Sequence, residues 1–165
     1  DSSLHYSLKS IKKELRIPYV IEDAAVPLDK MPKIFSKLKK IERKYNVKTI
    51  IYGHIGNGNI HVRLISKRRN KKLIKDIAIE YFNEVIINNG TISAEHGDGL
   101  ARSEFIKKQY GQKNYHTFEK IKKIMDPNGI LNPGKKITKK STIVKNLEKY
   151  WNLSVDRYEK NCLGS

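Results

Sequence analysis

The chain has 165 residues, 38% hydrophobic and 31% charged, which is enough apolar matter for one packed core and too much for a disordered chain. No apolar run approaches the roughly 20 residues that span a bilayer, and residues 1–20 contain no signal-peptide block, so the expected location is cytoplasmic, with peripheral contact at the inner face of the cell membrane open to so basic a chain. The balance of 34 Lys and Arg against 17 Asp and Glu gives a charge of +17, which points either to an anionic partner or to solvated lysine faces; no aromatic–basic RNA signature or DNA-reading helix is present, which argues against nucleic acid.

The stretch 17–27, IPYVIEDAAVP, reads as a strand ending near Val26, with two adjacent carboxylates inside it. Residues 29–46 place Ile34, Leu38 and Ile41 at helical spacing, with lysines opposite. Asp29 or a neighbour is the expected cap, and Pro32 suits a first turn. VKTIIYGHI and NIHVRLIS are two strands joined by a glycine-bearing loop. Residues 70–90 form a long helix that Asn89-Gly90 ends. TISAEHGDG starts extended and becomes a loop. LARSEFIKKQYG and NYHTFEKIKKIM are two further helices, the second stopped by DPNG, and ILNPGKKI is a turn. From about Thr138 the chain reads as a tail with a short amphipathic helix around IVKNLEKYW. The order β-α-β-β-α-β followed by helices predicts an α+β fold: an antiparallel sheet with helices on one face. The expected organisation is one domain over 1–137 and a linker or tail over 138–165. Cys162 is the only cysteine, so no internal disulfide can form.

YGHIGNGNIH, 52–61, sets two histidines around a glycine loop. If Asn57-Gly58 is a two-residue type I′ turn, His54 faces His61 across the hairpin, and the two imidazoles can share a metal ion. Alternation then puts Tyr52, His54, His61 and Arg63 on one face, and Ile51, Ile55, Ile60, Val62 and Leu64 on the other. A histidine pair in a plain hairpin is the simpler alternative. TISAEHGDGLAR offers Glu95 and His96. Neighbours on an extended segment point to opposite sides. If the segment returns beside the hairpin, Glu95 can complete a His, His, carboxylate set with open coordination positions, and His96 can face a neighbouring site. A solvated polar loop is the simpler reading of that segment alone.

Four segments in order, IEDAAVP (21–27), GHIGNGNIH (53–61), GTISAEHGDG (90–99) and MDPNGILNPGK (125–135), resemble the C-terminal domain of FAD-linked oxidases of the vanillyl-alcohol-oxidase type. The glycolate oxidase, D-lactate dehydrogenase and D-2-hydroxyglutarate dehydrogenase relatives belong here. The resemblance implies a ferredoxin-like cap-domain arrangement and oxidation of a small 2-hydroxy acid to a keto acid, with hydride passing to FAD. It implies His54, His61 and Glu95 as ligands of a divalent metal (zinc, manganese or iron), and His96 as the base that takes the hydroxyl proton. Asn132 and Lys135 lie in the turn that resembles the family's segment near the flavin. Arg63 and Arg102 are our choices for substrate carboxylate clamps, by fork geometry and position. The wording AEHGDGLARSEF resembles a subgroup in which an iron–sulfur module follows, and NCLGS would suit the start of one.

Asn57 stands where the family usually has Asp, which removes a charge but keeps the turn. Asp98 departs from the wider family and agrees with the subgroup. No glycine-rich nucleotide fingerprint is present, so FAD is expected from a missing FAD-binding domain or a partner subunit. The chain alone is expected to be inactive. A metal-binding or interaction module without redox work is the alternative.

Overall fold

A computed structural model describes residues 20–67 and 70–138. Strand β1 is short, Ala24–Ala25. Pro27 follows, and the amide of Lys30 bonds its carbonyl at 2.8 Å. This closes a 3-10 turn over Leu28–Lys30 that leads into helix α1, Met31–Tyr45. Pro32 lies in the first turn as expected, but no side chain caps the helix. The 3-10 turn takes over the capping expected of Asp29. Met31, Ile34, Leu38 and Ile41 are buried, one stripe of an amphipathic helix. Asn46 ends it in the left-handed conformation, φ 51°.

Strands β2, Lys48–Tyr52, and β3, Asn59–Ile65, pair antiparallel, and β3 also pairs with β1. Helix α2, Lys71–Ile87, starts at Asn70, whose side chain accepts from the Leu73 amide. It buries Ile74, Ile77, Ala78, Tyr81, Phe82 and Val85. Asn89, φ 58°, and Gly90 turn the chain back to the sheet. A Cβ on Gly90 would lie 2.5 Å from the Ala25 carbonyl oxygen, so only glycine admits that approach. Thr91 then exchanges both backbone bonds with Ala25, at 2.8 and 2.9 Å. The spatial order is residue 91, β1, β3, β2. This is the expected ferredoxin-like order, with the fourth strand reduced to one bridge.

A 3-10 turn, Ser103–Phe105, enters helix α3, Ile106–Met125. Gly111 interrupts it at φ 77°, ψ 166°. The two expected helices are thus the two limbs of one broken helix. Asp126 stops it, its carboxylate accepting from the amides of Ile130 and Leu131 at 3.0 and 2.9 Å. The tail beyond Thr138 lies outside the described residues.

The core lies between one sheet face and α1 and α2. Ala24, Ile60, Val62 and Leu64 meet Ile34, Leu38, Ile41, Ile77 and Phe82, all essentially inaccessible. Each such branched or aromatic side chain contributes about 1.5–3 kcal/mol by burial. The fold is α+β, as the alternation of elements predicted. None of the described helices is long and apolar enough to cross a membrane.

The hairpin register differs from expectation. Tyr52, not His54, faces His61. β2 stops at Gly53, φ 141°, and the connection contains a 3-10 turn over Ile55–Asn57 before Gly58 reverses the chain at φ 74°. Ile55 is therefore 54% exposed instead of joining the apolar face. Tertiary contacts set this loop. Val26 donates to the Gly58 carbonyl at 3.1 Å, and the Asn59 carboxamide faces the Asp23 side chain and the Ala24 carbonyl at 3.4 and 3.5 Å. The connection is pinned to β1, and a two-residue turn would leave those groups unmatched.

Candidate metal and substrate site

The site is assembled by two adjacent acids in 21–27. Asp23 is fully buried and has a left-handed backbone, φ 67°, sparsely populated for a non-glycine residue. Its carboxylate gathers a returning loop. It accepts from the Ser93 hydroxyl at 2.9 Å and from the amides of Ala94, Glu95 and His96 at 3.1, 3.1 and 2.9 Å. Burial pushes this carboxyl up. The amides of Glu95 and His96, the Ser93 hydroxyl and the Arg102 charge outweigh burial and hold it below the usual carboxylate range.

That loop brings Glu95 and His96 over β3. Glu95 Oε1 lies 2.8 Å from His61 Nε2, and Oε2 lies 3.9 Å from His54 Nε2. The His96 ring stacks on His61 with centroids 4.8 Å apart, and His96 Nε2 is 3.5 Å from Glu95 Oε1. Glu95 and His96 were expected to diverge; they converge, because three successive amides curl around one carboxylate. His54 and His61 are not cross-strand neighbours, yet their rings stand 6.4 Å apart, because the loop carries His54 back toward the strand.

The donor atoms that cluster are those of Asp23, His61, Glu95 and His96, all within 4.8 Å of one another, and His54 stands outside that group. Two ligands about 2.1 Å from a tetrahedral ion stand about 3.4 Å apart; His61 Nε2 is hydrogen-bonded to Glu95 Oε1 at 2.8 Å and His54 Nε2 lies 3.9 Å from Oε2, so an ion shared by them would part the first pair and draw in the second. Two imidazoles and one carboxylate would leave positions open for substrate. An Asp23 oxygen also lies within 4.8 Å of ligand atoms on His61, Glu95 and His96. Its lone pairs already serve the loop, so Asp23 builds the site and is not free to bind an ion.

Of the two arginines, Arg102 is spent internally. It donates to the carbonyls of Glu22 and Gly97, and to that of Ile92 at 3.4 Å, beside Asp23. The expectation of a substrate clamp is corrected: a buried guanidinium facing carbonyls that would otherwise lack donors stays with them. Arg63 is also buried. It pairs with Glu22 and lies 5.8 Å from the Tyr52 ring centroid. Tyr52, His61 and Arg63 do share the polar face, as alternation predicted. Asn132 and Lys135 are exposed, with Lys135 Nζ donating to Asn132 Oδ1 at 3.0 Å. They line a cleft of about 700 Å³ with Tyr110, Phe118, Ile121 and Leu131, which reaches Gly97 and Asp98 beside His96.

Sequence reasoning missed Glu22 and Asp23 as functional residues. The available signal was a pair of acids inside a segment otherwise apolar enough to be buried.

The structure defines a class of domain: an α+β fold that gathers His61, Glu95 and His96 over one strand, with His54 at the edge, 3.9 Å from Glu95. The sequence places it: residues 3–136 match the family described as FAD linked oxidases, C-terminal domain, and the chain belongs to that family. It is 29% identical over 136 residues to glycolate oxidase subunit GlcD of Bacillus subtilis (strain 168), covering 81% of this chain and 29% of that protein. It is 33% identical over 122 residues to D-2-hydroxyglutarate dehydrogenase of Haemophilus influenzae, covering 72% of this chain and 12% of that protein. It is 29% identical over 113 residues to D-lactate dehydrogenase [cytochrome], mitochondrial, of Kluyveromyces lactis, covering 68% of this chain and 20% of that protein. The chain thus spans less than a third of each of these relatives.

Proposed function

We propose that this chain is the substrate- and metal-binding part of a flavin-dependent 2-hydroxyacid dehydrogenase, completed by an FAD-bearing domain or subunit. The convergence of His54, His61 and Glu95 beside His96 is the observation that carries it. When bound, FAD supplies the hydride acceptor and a divalent cation on His54, His61 and Glu95 supplies a Lewis acid for the substrate hydroxyl.

The chain's own residues do the rest. His96 Nε2 takes the hydroxyl proton as the carbon's hydride leaves, so the hydroxy acid becomes a keto acid. Asp23 fixes the backbone beneath Glu95 and His96, so neither side chain searches for its position. Glu22, Arg63 and Arg102 balance charge under the site. The cleft beside Gly97, with Asn132 and Lys135 on its wall, supports docking of the flavin-bearing half there. An iron–sulfur module as onward electron carrier belongs to the same proposal, resting on the wording of residues 94–105.

The test is reconstitution. The chain mixed with an FAD-bearing partner should reduce a dye with D-lactate, glycolate or D-2-hydroxyglutarate, and His96→Ala should abolish turnover while zinc binding persists. Full turnover in His96→Ala would reject the assigned base.

A further inference from the structure

We infer that Glu22 is a positioning residue for His96, holding its imidazole in the tautomer whose bare Nε2 faces the substrate. The inference rests on the proposed reading of His96 as the base. Glu22 precedes the left-handed Asp23, and the two acids divide the work. Asp23 holds the His96 amide at 2.9 Å. Glu22 Oε1 lies 3.0 Å from His96 Nδ1, and Glu22 Oε2 pairs with Arg63. A carboxylate bonded to a guanidinium accepts hydrogen bonds and does not donate them, so Nδ1 carries the hydrogen. A neutral imidazole has one N–H, which leaves Nε2 as the lone-pair atom.

The ring is therefore fixed three ways: by its own amide, by stacking on His61 with the planes 16° apart, and at its Nδ1 edge by Glu22. The exposures agree. The Glu22 and Arg63 side chains are 15% and 8% exposed, whereas His96 is 46% exposed. The buried pair stands at the Nδ1 edge of the ring, and Nε2 lies at the opposite edge, 3.5 Å from Glu95 Oε1. An acid, an imidazole and a substrate hydroxyl in that order repeat the logic by which a carboxylate orients a histidine base. Glu95 Oε1, 3.5 Å from Nε2, is the competing acceptor, and a Glu22 that served only Arg63 would leave it to draw the hydrogen to Nε2.

The experiment uses the full 15N-labelled chain, metal-free, above the imidazole titration, with His96→Gln to assign the ring signals. The parent should show a protonated Nδ1 and a bare Nε2 at His96. Glu22→Gln should bring in the Nε2–H tautomer, because its amide can also donate to Nδ1. Glu22→Ala combined with Arg63→Met removes the cation with its partner, so no buried charge is stranded, and should make the Nε2–H form predominant. A parent ring that is protonated at Nε2 overturns the inference, as does an unchanged tautomer in either folded variant. Neither readout needs flavin, metal or turnover. If reconstitution with a flavin partner gives no activity, the functional reading fails while the tautomer still decides the role of Glu22. If it gives activity, Glu22→Gln should lower kcat about 10–100-fold, in the range of lost outer partners, with KM unchanged; a change confined to KM would count against positioning.

Discussion

Replacing Asp23 by Asn removes one charge and one acceptor without changing shape. Asn tolerates the left-handed backbone as well as Asp does, so φ 67° is not itself disturbed. The new amide group must point somewhere. At the Oδ2 position it faces the amides of Ala94 and His96 and the Ser93 hydroxyl. Ala94 keeps the Asp23 backbone carbonyl at 2.8 Å, and the hydroxyl can rotate, so the His96 amide is stranded. At the Oδ1 position the Glu95 amide keeps only Oδ2, at 3.4 Å, and the Asn59 side chain only the Ala24 carbonyl, at 3.5 Å. Either way at least one donor loses its well-placed acceptor, at about 1–3 kcal/mol, and the Arg102 guanidinium loses a nearby anion. The expected loss is about 2–4 kcal/mol, a large share of the roughly 5–15 kcal/mol of a whole domain. At about 2–4 °C per kcal/mol for a chain of this size, Tm should fall by roughly 4–16 °C. Circular dichroism melts measure the global effect, and hydrogen exchange should show the Glu95 and His96 amides losing protection first. A melting point within about 2 °C of the parent, with both amides still protected, would refute the assignment of Asp23 as the organiser of the loop.

Three further outcomes are expected. Gly58→Ala would place a Cβ 2.1 Å from the Val26 carbonyl oxygen on a backbone at φ 74°, and urea unfolding should show a loss of about 2–4 kcal/mol; a neutral result would mean the loop is not pinned to β1. Glu80 is pushed up by burial but pulled down further by Lys44, Lys37 and Tyr45, to about 2 from 4.5. Its contribution is present above about pH 4.5 and lost as pH falls toward 2. With its side chain 21% exposed, screening should leave about 1 kcal/mol, and Glu80→Gln should flatten the acid limb of a pH–stability curve. For zinc affinity by chelator competition, His61→Ala should cost more than the roughly 10–100-fold typical of an outer partner. His54→Ala should cost less, since His54 is 69% exposed and 3.9 Å from Glu95; equal losses would contradict that ranking.

Patterns of one element were legible in the sequence. The stripe Ile34, Leu38, Ile41, the stop at Asn89-Gly90 and the alternation that separates Val62 and Leu64 from His61 and Arg63 all depend on local periodicity and backbone preference. The motif resemblance selected the family that the match over residues 3–136 shows. What escaped depends on chain segments that meet only after folding. Asn57-Gly58 has the composition of a tight turn, but contacts of Val26 and Asn59 accompany a register shifted by two residues, with Tyr52 opposite His61. Arg102 looks like an anion clamp until carbonyls some 10 and 80 residues away surround it. Glu22 and Asp23 look like any pair of strand acids until residues 93–96 arrive above them.

The single rung at Ala25–Thr91 has a consequence for how such a centre can evolve. A full fourth strand would commit the peptide groups of 93–96 to a ladder, and successive side chains would then be thrown to opposite sides. Stopping the ladder after one rung hands those groups to an aspartate, which bends the chain so that two neighbouring side chains share a target. The scaffold keeps its sheet order while residues 93–96 answer to one carboxylate, so their geometry can drift by small changes around that anchor without re-registering a strand.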